Sequence, residues 1–222
     1  MENYRIAHNP MKTNWNTYHR NFRQLTVGWI PQYFHWKAYL SLLNKITYSK
    51  KVDILELGSG TGFNSFKMCE YLDVNKVTLV DSNPAALRIS HKLFSKFDIN
   101  KEFVEKDVTK YHTDKQYDIV HSHGLIEHFS VPEMNLLIKK HIDFALPNGH
   151  IIIFVPTPLG NYKRFRRTCE FLRIWPFPDE RPILKEELIQ EIIKYNVSVI
   201  DYTIYTVFYP TLGIIIKNCP DF

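Results

Sequence analysis

The sequence holds only three cysteines in 222 residues, and Cys69, Cys169 and Cys219 form no CxxC pair. Widely spaced cysteines disfavour a disulfide framework and a structural zinc site, so we expect a reducing, cytoplasmic environment. Long apolar runs are missing as well. The run IIIFV at 151–155 is far short of the roughly 20 apolar residues that a membrane span needs. The amino-terminal stretch MENYRIAHNPMK also lacks the apolar core of a secretory signal, and we predict no membrane partner.

Charge is unbalanced along the chain, although the formal net charge is only +5. Residues 1–48 carry six Lys or Arg and one acid, and residues 156–182 carry six and three. Between these segments, residues 49–155 contain thirteen basic and fourteen acidic residues. A chain of this length fits one domain with a sizeable core and a small cap.

The middle of the chain alternates short apolar runs with longer amphipathic stretches. VDILELG at 52–58 predicts a buried strand, and Asn83 with Pro84 indicates a helix start. Further strands are predicted at 76–80, 101–106, 117–122 and 149–156, and helices at 62–72, 84–97, 132–145 and 185–195. Strands that alternate with helices favour parallel βαβ units in a doubly wound sheet. Two β-rich runs around Pro210 predict an antiparallel pair at the sheet edge, whereas residues 156–182 are too rich in proline to predict a regular element.

The stretch ILELGSGTGFNSF at 54–66 predicts a strand that ends in a glycine-rich loop and continues as a helix. Such a loop brings backbone N–H groups close to a ligand at a helix N-terminus. The dinucleotide fingerprint GxGxxG has its third glycine where this chain has Phe63, and a bulky ring there disfavours a pyrophosphate. Asp81 follows Gly60 by 21 residues, a spacing at which a carboxylate can bind ribose hydroxyls. Together these features predict a ligand that contains adenosine.

Four segments resemble, in order and spacing, the successive cofactor motifs of class I S-adenosylmethionine-dependent methyltransferases. They are ILELGSGTGFNSF, LVDSNPAAL, FVEKDV and YDIVHSHGLIEHF. The resemblance covers about residues 50–155 and is greatest to the small-molecule group that includes ubiquinone-type and natural-product biosynthesis enzymes. It implies a Rossmann-like fold, S-adenosylmethionine as cofactor, and transfer of a methyl group.

The resemblance also implies a set of cofactor-binding residues. They are Glu56, Gly58, Ser59, Gly60, Gly62, Asp81, Ser82, Asp107, Val108, Ser122 and His123. Glu56 would orient the glycine loop and the amino group of the cofactor, and Asp81 would accept hydrogen bonds from both ribose hydroxyls. Asp107 would accept from the adenine amino group. Ser122 and His123 would border the methionine part and the methyl group.

The segment HSHGLIEHF at 121–129 supplies candidate catalytic residues. Methyl transfer depends mainly on holding acceptor and methyl group at reacting distance, and a general base helps when the acceptor is a hydroxyl. Histidine suits that task near neutrality, so the candidates are His123 and His128, with Glu127 beside the latter. Glu127 and His128 could instead only fix the shape of the loop. The spacing matches neither HExxH nor HxxEH, and we expect His121 and His123 to point to opposite faces, so no metal site is predicted.

The two basic segments are expected to cover the acceptor site above the carboxyl ends of the strands. The first offers Trp15, Tyr18, His19, Trp29, Tyr33 and Trp36, and the second Tyr162, Lys163, Arg164, Arg166, Arg167, Arg173 and Trp175. Aromatic surface with convergent cations suits a ring-bearing or anionic acceptor. Alternatively, the aromatic residues pack a small core of their own and the arginines are solvated.

We therefore predict an α/β fold with a seven-stranded, mostly parallel sheet, an antiparallel edge strand and a helical N-terminal cap. The single domain, 1–222, divides into a cap (1–48), a cofactor-binding core (49–155), a lid or acceptor insert (156–182) and a C-terminal helix with a strand pair (183–222). The predicted function is methylation of a hydroxyl group of a small molecule, and an amine is the second choice for the methylated group. The alternatives are an RNA methyltransferase, suggested by YKRFRR but disfavoured, and a non-catalytic protein that binds S-adenosylmethionine. An NAD-dependent oxidoreductase is disfavoured by Phe63.

Overall fold

The computed structural model describes residues 12–15, 29–206 and 209–219. In these ranges, seven strands form one sheet, and helices pack on both of its faces. The strands are β1 (Val52–Leu57), β2 (Val74–Asp81), β3 (Asn100–Glu105), β4 (Tyr117–His123), β5 (Ala145–Pro156), β6 (Val197–Tyr205) and β7 (Thr211–Asn218). The helices are α1 (Trp29–Leu43), α2 (Phe63–Tyr71), α3 (Pro84–Leu93), α4 (Val131–Asp143), α5 (Tyr162–Phe171) and α6 (Lys185–Ile192).

The sheet has the strand order β3-β2-β1-β4-β5-β7-β6. Strands β1 to β5 pair in parallel, whereas β7 is antiparallel to both β5 and β6. The chain order reverses at β1, which has β2 on one side and β4 on the other, and such a reversal opens a crevice at the carboxyl ends of the strands. The predicted doubly wound, mostly parallel sheet with an antiparallel edge is confirmed.

The central strands of the sheet are buried on both faces, which is why β5 and β7 contain nearly continuous apolar runs. In β5, Ile151, Ile153 and Val155 belong to the core that α4 and α6 cover. Ile152 and Phe154 belong to the core on the other face, which α1, α2 and α3 cover. Successive residues of one strand thus hold helices on opposite sides of the sheet, because their side chains alternate in direction.

The start of α3 follows the capping signal seen in the sequence. The Asn83 side chain accepts hydrogen bonds from the backbone N–H groups of Ala85 and Ala86, at 2.9 and 3.2 Å. Pro84 occupies the first turn, where it costs the helix no hydrogen bond. The predicted cap is therefore confirmed, and it fixes where the chain turns away from the end of β2.

The prediction that residues 156–182 form no regular element was wrong, because helix α5 lies within them. Tyr162, Arg166 and Cys169 are buried at helical spacing along one face of α5. The prolines of the segment lie outside the helix, before its first turn and after its last. The proline content of the whole segment therefore concealed a short amphipathic helix.

The predicted N-terminal cap, residues 1–48, is represented by α1, a helix of 15 residues. Tyr18 and His19 lie outside the described residues, and so do the side chains of Trp29 and Tyr33. Over the ranges that the structure describes, neither α1 nor any other helix combines the length and the apolar character that crossing a bilayer requires.

Replacement of Gly213 by alanine is expected to lower the stability of the sheet. A Cβ atom on Gly213 would lie 2.3 Å from the ring of Phe154, which itself stacks on Tyr39 at a centroid distance of 4.2 Å. Overpacking of this kind costs about 1–3 kcal/mol in the free energy of unfolding, measured by chemical denaturation. In a Phe154→Ala background, the same Gly213→Ala change should cost little, because the ring is gone. An equal cost in both backgrounds would contradict this account.

Candidate functional site

A cavity of about 700 Å³ opens at the carboxyl ends of the parallel strands. One side of it, the glycine-loop half, lies above β1, β2 and β3 and includes Glu56, Gly58, Ser59, Gly60, Asp81 and Asp107. The other side, the acidic half, lies beyond β4 and includes Trp15, Glu127, His128, Phe177, Asp179 and Glu180. His123, at the end of β4, lies between the two. One continuous space therefore joins the predicted cofactor motifs to the residues proposed for catalysis.

Glycine is required at two positions of the loop between β1 and α2. Gly58 and Gly62 have φ values of +64° and +68°, which side chains rarely adopt. A Cβ atom on Gly58 would also lie 2.5 Å from Leu125, and one on Gly62 would lie 2.6 Å from Leu79. The loop is thus pressed against the core, with its backbone facing the cavity at Gly58, Ser59 and Gly60, whereas Gly62 caps α2 without lining the cavity.

Asp81 joins the glycine loop to the helix that follows β2. Its Oδ2 accepts a hydrogen bond from the Gly60 N–H, and its Oδ1 accepts one from the Asn83 N–H, each at 2.7 Å. The carboxylate therefore lies at the cavity wall with its orientation fixed by two backbone donors. Ser82, the next residue, lines the cavity as well.

Asp107 and Val108 line the cavity after β3, as the sequence predicts. The Asp107 Oδ1 accepts hydrogen bonds from the Thr109 N–H at 2.9 Å and from the Thr109 hydroxyl at 2.8 Å. Burial favours the neutral acid, but these two hydrogen bonds prevail and lower the pKa of Asp107. This carboxylate is therefore ionised at neutral pH.

Glu56 is buried at the end of β1 within a chain of hydrogen bonds. The Ser65 hydroxyl donates to Glu56 Oε2 at 2.7 Å and contacts His121 Nε2 at 2.8 Å. The Ser65 hydroxyl therefore links the Glu56 carboxyl group to His121, whose Nδ1 lies 3.3 Å from the Tyr39 hydroxyl. Burial raises the pKa of Glu56 to about 8. Burial, together with the charge of His141, lowers the pKa of His121 to about 3.

His121 and His123 share one face of β4, so the expectation that they face opposite sides was wrong. Residues two apart in a strand point the same way, and the Tyr39 ring lies 5.9 and 6.0 Å from the two imidazole rings. Ser122 points to the other face, where its hydroxyl lies 2.9 Å from His141 Nε2. Ser122 is fully buried and is not brought to the cavity.

His123 reaches the cavity through a small polar cluster. Its Nδ1 lies 3.1 Å from the Asn64 side-chain amide, and its ring packs edge-on against His35 at 5.0 Å. Burial and the neighbouring histidines lower the pKa of His123 well below its usual range. His123 is therefore neutral at physiological pH, and so low a pKa makes it a weak proton acceptor, which disfavours the predicted role as a base.

The acidic half is tied together by Asp179. Its Oδ1 lies 2.9 Å from His128 Nδ1 and also accepts a hydrogen bond from the Thr13 hydroxyl. The Thr13 N–H donates to Asp179 Oδ2 at 3.1 Å, and the Trp15 ring packs edge-on against His128 at 4.9 Å. Asp179 therefore holds both the segment 12–15 and the turn that carries His128.

The protonation of His128 and Glu127 differs from what the sequence suggested. Burial opposes the charge on His128, but the hydrogen bond to Asp179 and the nearby carboxylates prevail and raise the pKa of His128 above 6.5. Burial raises the pKa of Glu127 to about 7. His128 is thus shifted towards its protonated form, and Glu127 is a second group of the pair that can take up a proton.

Glu180 completes the acidic half. Its Oε1 accepts a hydrogen bond from the Tyr162 hydroxyl at 2.6 Å, and its Oε2 accepts one from the Tyr209 hydroxyl. One donor atom from each of Glu127, His128 and Glu180 lies within 4.8 Å of the others, a spacing that a metal ion could bridge. The two tyrosine hydroxyls compete with any such ion for the Glu180 lone pairs.

The structure does not place the basic residues of the insert at the cavity. Lys163, Arg164, Arg167 and Arg173 are exposed, and none of them lines it. Arg166 is buried beneath the wall, where its guanidinium donates to the Glu180 carbonyl and the Tyr162 hydroxyl. The acceptor side of the cavity is therefore acidic and aromatic, and the expectation of convergent cations was wrong for the described residues.

Several cavity residues carry no motif in the sequence. Thr13 and Asp179 are 166 positions apart, His35 comes from α1, and Tyr209 comes from the bend that precedes β7. A single chain offers no spacing rule that links such positions. The sequence around Asp179, WPFPDERPI at 175–183, offers no such rule either.

Part of this chain is similar to known methyltransferases. Residues 54–149 match the family model described as a methyltransferase domain. Malonyl-acyl-carrier protein O-methyltransferase 1 of Ilyobacter polytropus is 33% identical over 117 residues, covering 52% of this chain and 41% of that relative. A tRNA1(Val) (adenine(37)-N6)-methyltransferase of a Flavobacteriaceae bacterium is 25% identical over 132 residues, covering 53% of this chain and 56% of the relative. The chain spans about half the length of these curated relatives.

Solved structures show the same fold over nearly the whole chain. Burkholderia thailandensis 1,6-didemethyltoxoflavin-N1-methyltransferase, solved with 1,6-didemethyltoxoflavin and S-adenosylhomocysteine bound, matches with a TM-score of 0.69. The match covers 93% of this chain and 87% of that chain at 14% sequence identity. At this identity the likeness establishes the fold alone.

Replacement of Asp179 by alanine should lower stability in a pH-dependent way. The change leaves three donors of Thr13 and His128 without their acceptor, which costs roughly 2–4 kcal/mol in the free energy of unfolding. Hydrogen bonds lower the pKa of Asp179 in the folded protein, so its contribution to the free energy of unfolding is present above pH 3.8. The pKa of His128 is raised in the folded protein, so the contribution of His128 is lost as pH rises through that raised pKa. The cost should therefore be largest between about pH 4 and 6.5.

The measurement is chemical denaturation across a pH series. The control is Glu170→Ala, which removes a half-exposed carboxylate bonded to Arg166 at 2.8 Å and should cost about 0.5 kcal/mol or less. A loss from Asp179→Ala that does not vary between pH 5 and pH 9 would refute the ion pair.

Proposed function

We propose that this chain, which carries a class I S-adenosylmethionine-dependent methyltransferase domain, methylates a small molecule bound in the acidic half of its cavity. The methyltransferase domain predicted from the sequence is confirmed by the family model that matches residues 54–149. The similar methyltransferases support the enzyme class, and S-adenosylmethionine is the cofactor that this family implies. The observation that supports the proposed acceptor is the continuity of one cavity, in which the glycine-loop half leads past His123 to Glu127 and His128.

The glycine-loop half has the chemistry that the cofactor requires. Its backbone approaches the cavity without side chains at Gly58 and Gly60, and the buried Ser59 hydroxyl has no hydrogen-bond partner in the described part of the chain. We propose that Asp81 accepts hydrogen bonds from the ribose hydroxyls and that Asp107 accepts one from the adenine amino group. The two fixed donors on Asp81 leave lone pairs of both oxygens for such bonds.

When bound, S-adenosylmethionine supplies a methyl carbon that forms its new bond to the acceptor as the bond to sulfur breaks and returns its electron pair to sulfur. The protein's task is to hold the acceptor at reacting distance and to take up its proton. Glu127 is placed for proton uptake, because its carboxylate is buried beside the cavity and its pKa of about 7 permits it to exist in either state. His128 acts as a positioning residue, held by Asp179 and by the Trp15 ring.

Ring-bearing acceptors fit the walls of the acidic half. Trp15, Phe177 and His128 pack against one another, with centroid distances between 4.9 and 6.0 Å. Aromatic walls with a few polar groups are typical of small-molecule sites. The sequence favoured a hydroxyl as the methylated group, and either a hydroxyl or an amine brings the proton that Glu127 can accept. An anionic acceptor is disfavoured by the carboxylates.

A second candidate function is methylation of RNA, which the exposed face of α5 supports. Lys163, Arg164 and Arg167 are exposed on this helix and Arg173 is exposed just after it, and exposed cations of this kind contact phosphates. The similarity to a tRNA methyltransferase points the same way.

One transfer assay separates the two candidates. The protein is incubated with methyl-labelled S-adenosylmethionine and either a filtered small-molecule extract of microbial cells or bulk tRNA. We expect label in the small-molecule fraction. Label in tRNA, accompanied by a salt-sensitive gel shift, would replace the proposal by the RNA function. Label in neither fraction would favour the non-catalytic alternative.

Replacement of Asp81 by asparagine should weaken cofactor binding. An amide keeps one acceptor oxygen but loses the charge, and hydrogen bonds to charged groups contribute about 1.5–3 kcal/mol, or roughly 10- to 100-fold in Kd. Isothermal titration with S-adenosylhomocysteine measures this loss. The control is Glu105→Gln at the end of β3, a position that does not line the cavity. Affinity within twofold of the wild type in Asp81→Asn would exclude the ribose assignment.

A further inference from the structure

We infer that the acceptor is a cationic amine whose N–H group binds the Glu127 carboxylate. The inference deepens the proposed function and rests on it, because it names the class of molecule that the acidic half accepts. Its main support is one atom: Glu127 Oε2 is buried, and no hydrogen-bond donor in the described part of the chain reaches it. Glu127 as a whole is only 2% exposed.

The other carboxylates of the acidic half are already satisfied. Asp179 accepts hydrogen bonds from Thr13 and is bonded to His128, and both oxygens of Glu180 accept from tyrosine hydroxyls. A buried acceptor without a hydrogen-bond donor costs free energy. The neighbouring carboxylates avoid this cost because each of them has donors within the protein. Glu127 is thus the position where a ligand's donor completes the hydrogen bonding.

The charge of the acidic half calls for a cation. Glu127, Asp179 and Glu180 lie together, and His128 is the basic side chain that faces them from the described lining. Lys12, also a cavity residue, lies near Asp107 in the glycine-loop half, where its charge helps to lower the pKa of that carboxyl group. His128 offsets the charge of Asp179, and the buried Arg166 guanidinium lies beside Glu180. The Glu127 carboxylate is the one that an ammonium group would pair with and that a neutral alcohol would not.

The aromatic walls suit the same occupant. Trp15 and Phe177 lie 6.0 Å apart on the cavity wall, and Tyr209 lines the cavity beside Glu180. Cations are attracted to the faces of such rings, and a carboxylate among aromatic side chains is a common combination in sites for ammonium groups. An amine that carries a ring would use both features.

Glu127 takes up the proton that the amine must lose before it is methylated. A protonated amine has no lone pair, so one N–H bond must break before methylation. Its proton moves to Glu127 Oε2, and the electron pair of that bond stays on nitrogen as the nucleophile. The methylated product is again a cation. Phenols and ammonium groups have similar pKa values of about 10, so the proton step alone does not select an amine; the charge and the orphaned carboxylate oxygen do.

The test compares two probes that share a ring and differ in charge. 2-Phenylethylamine and 2-phenylethanol are titrated into the protein in the presence of S-adenosylhomocysteine, and Trp fluorescence reports binding. We expect the amine to bind at least about 10-fold more tightly, as one charge-assisted hydrogen bond would give. In Glu127→Gln this preference should fall to near unity, with S-adenosylhomocysteine affinity unchanged. Glu170→Gln, on the outer face of α5, should keep the full preference.

Two results would overturn the inference. One is the absence of any preference for the amine in the wild type, and the other is a preference that survives in Glu127→Gln. The product of the labelling assay gives an independent readout, because an N-methylated amine is retained by a cation exchanger at pH 7 and a methyl ether or ester is not. Labelled product in the unretained fraction would refute the amine while sustaining methyl transfer. Failure to bind S-adenosylhomocysteine would instead refute the proposed function.

Discussion

The chain leaves β1 towards one face of the sheet and β4 towards the other, and the cavity depends on this divergence. Helix α2, after β1, packs with α1 and α3 on one side, whereas α4, after β4, packs on the opposite side. The segments that follow these two neighbouring strands therefore separate at the carboxyl edge. The glycine loop and Glu127 lie on either side of the resulting opening. Methyl donor and acceptor can meet there without any movement of the sheet.

The two halves of the cavity are built by different means. The glycine-loop half uses short segments whose backbone hydrogen bonds fix each carboxylate, as the two donors on Asp81 illustrate. The acidic half joins segments from both ends of the chain, and Asp179 connects them. Positioning of a cofactor that many enzymes share can be local. Under the proposed function, recognition of the acceptor depends on contacts between distant segments, among which Glu127 Oε2 is buried without a donor in the described part of the chain.

Much of the fold and half of the site could be predicted from the sequence. The glycine loop, Asp81 and the Asn83 cap are local patterns whose geometry follows from a few adjacent residues. Helix α5 was missed because prolines on both sides of it concealed its amphipathic face. The acidic character of the acceptor side was missed because charge along a sequence does not show which side chains face outward. Arg166 illustrates this, since it lies under the cavity wall rather than in it.

The most direct test of the account is a crystal structure of the protein with S-adenosylhomocysteine. The account predicts ribose hydroxyls at Asp81, the adenine beside Asp107, and the sulfur near His123 with the acidic half still open beyond it. Adenine or ribose bound against Glu127 and Asp179 would contradict the division of the cavity and, with it, the assignment of the acidic half to the acceptor.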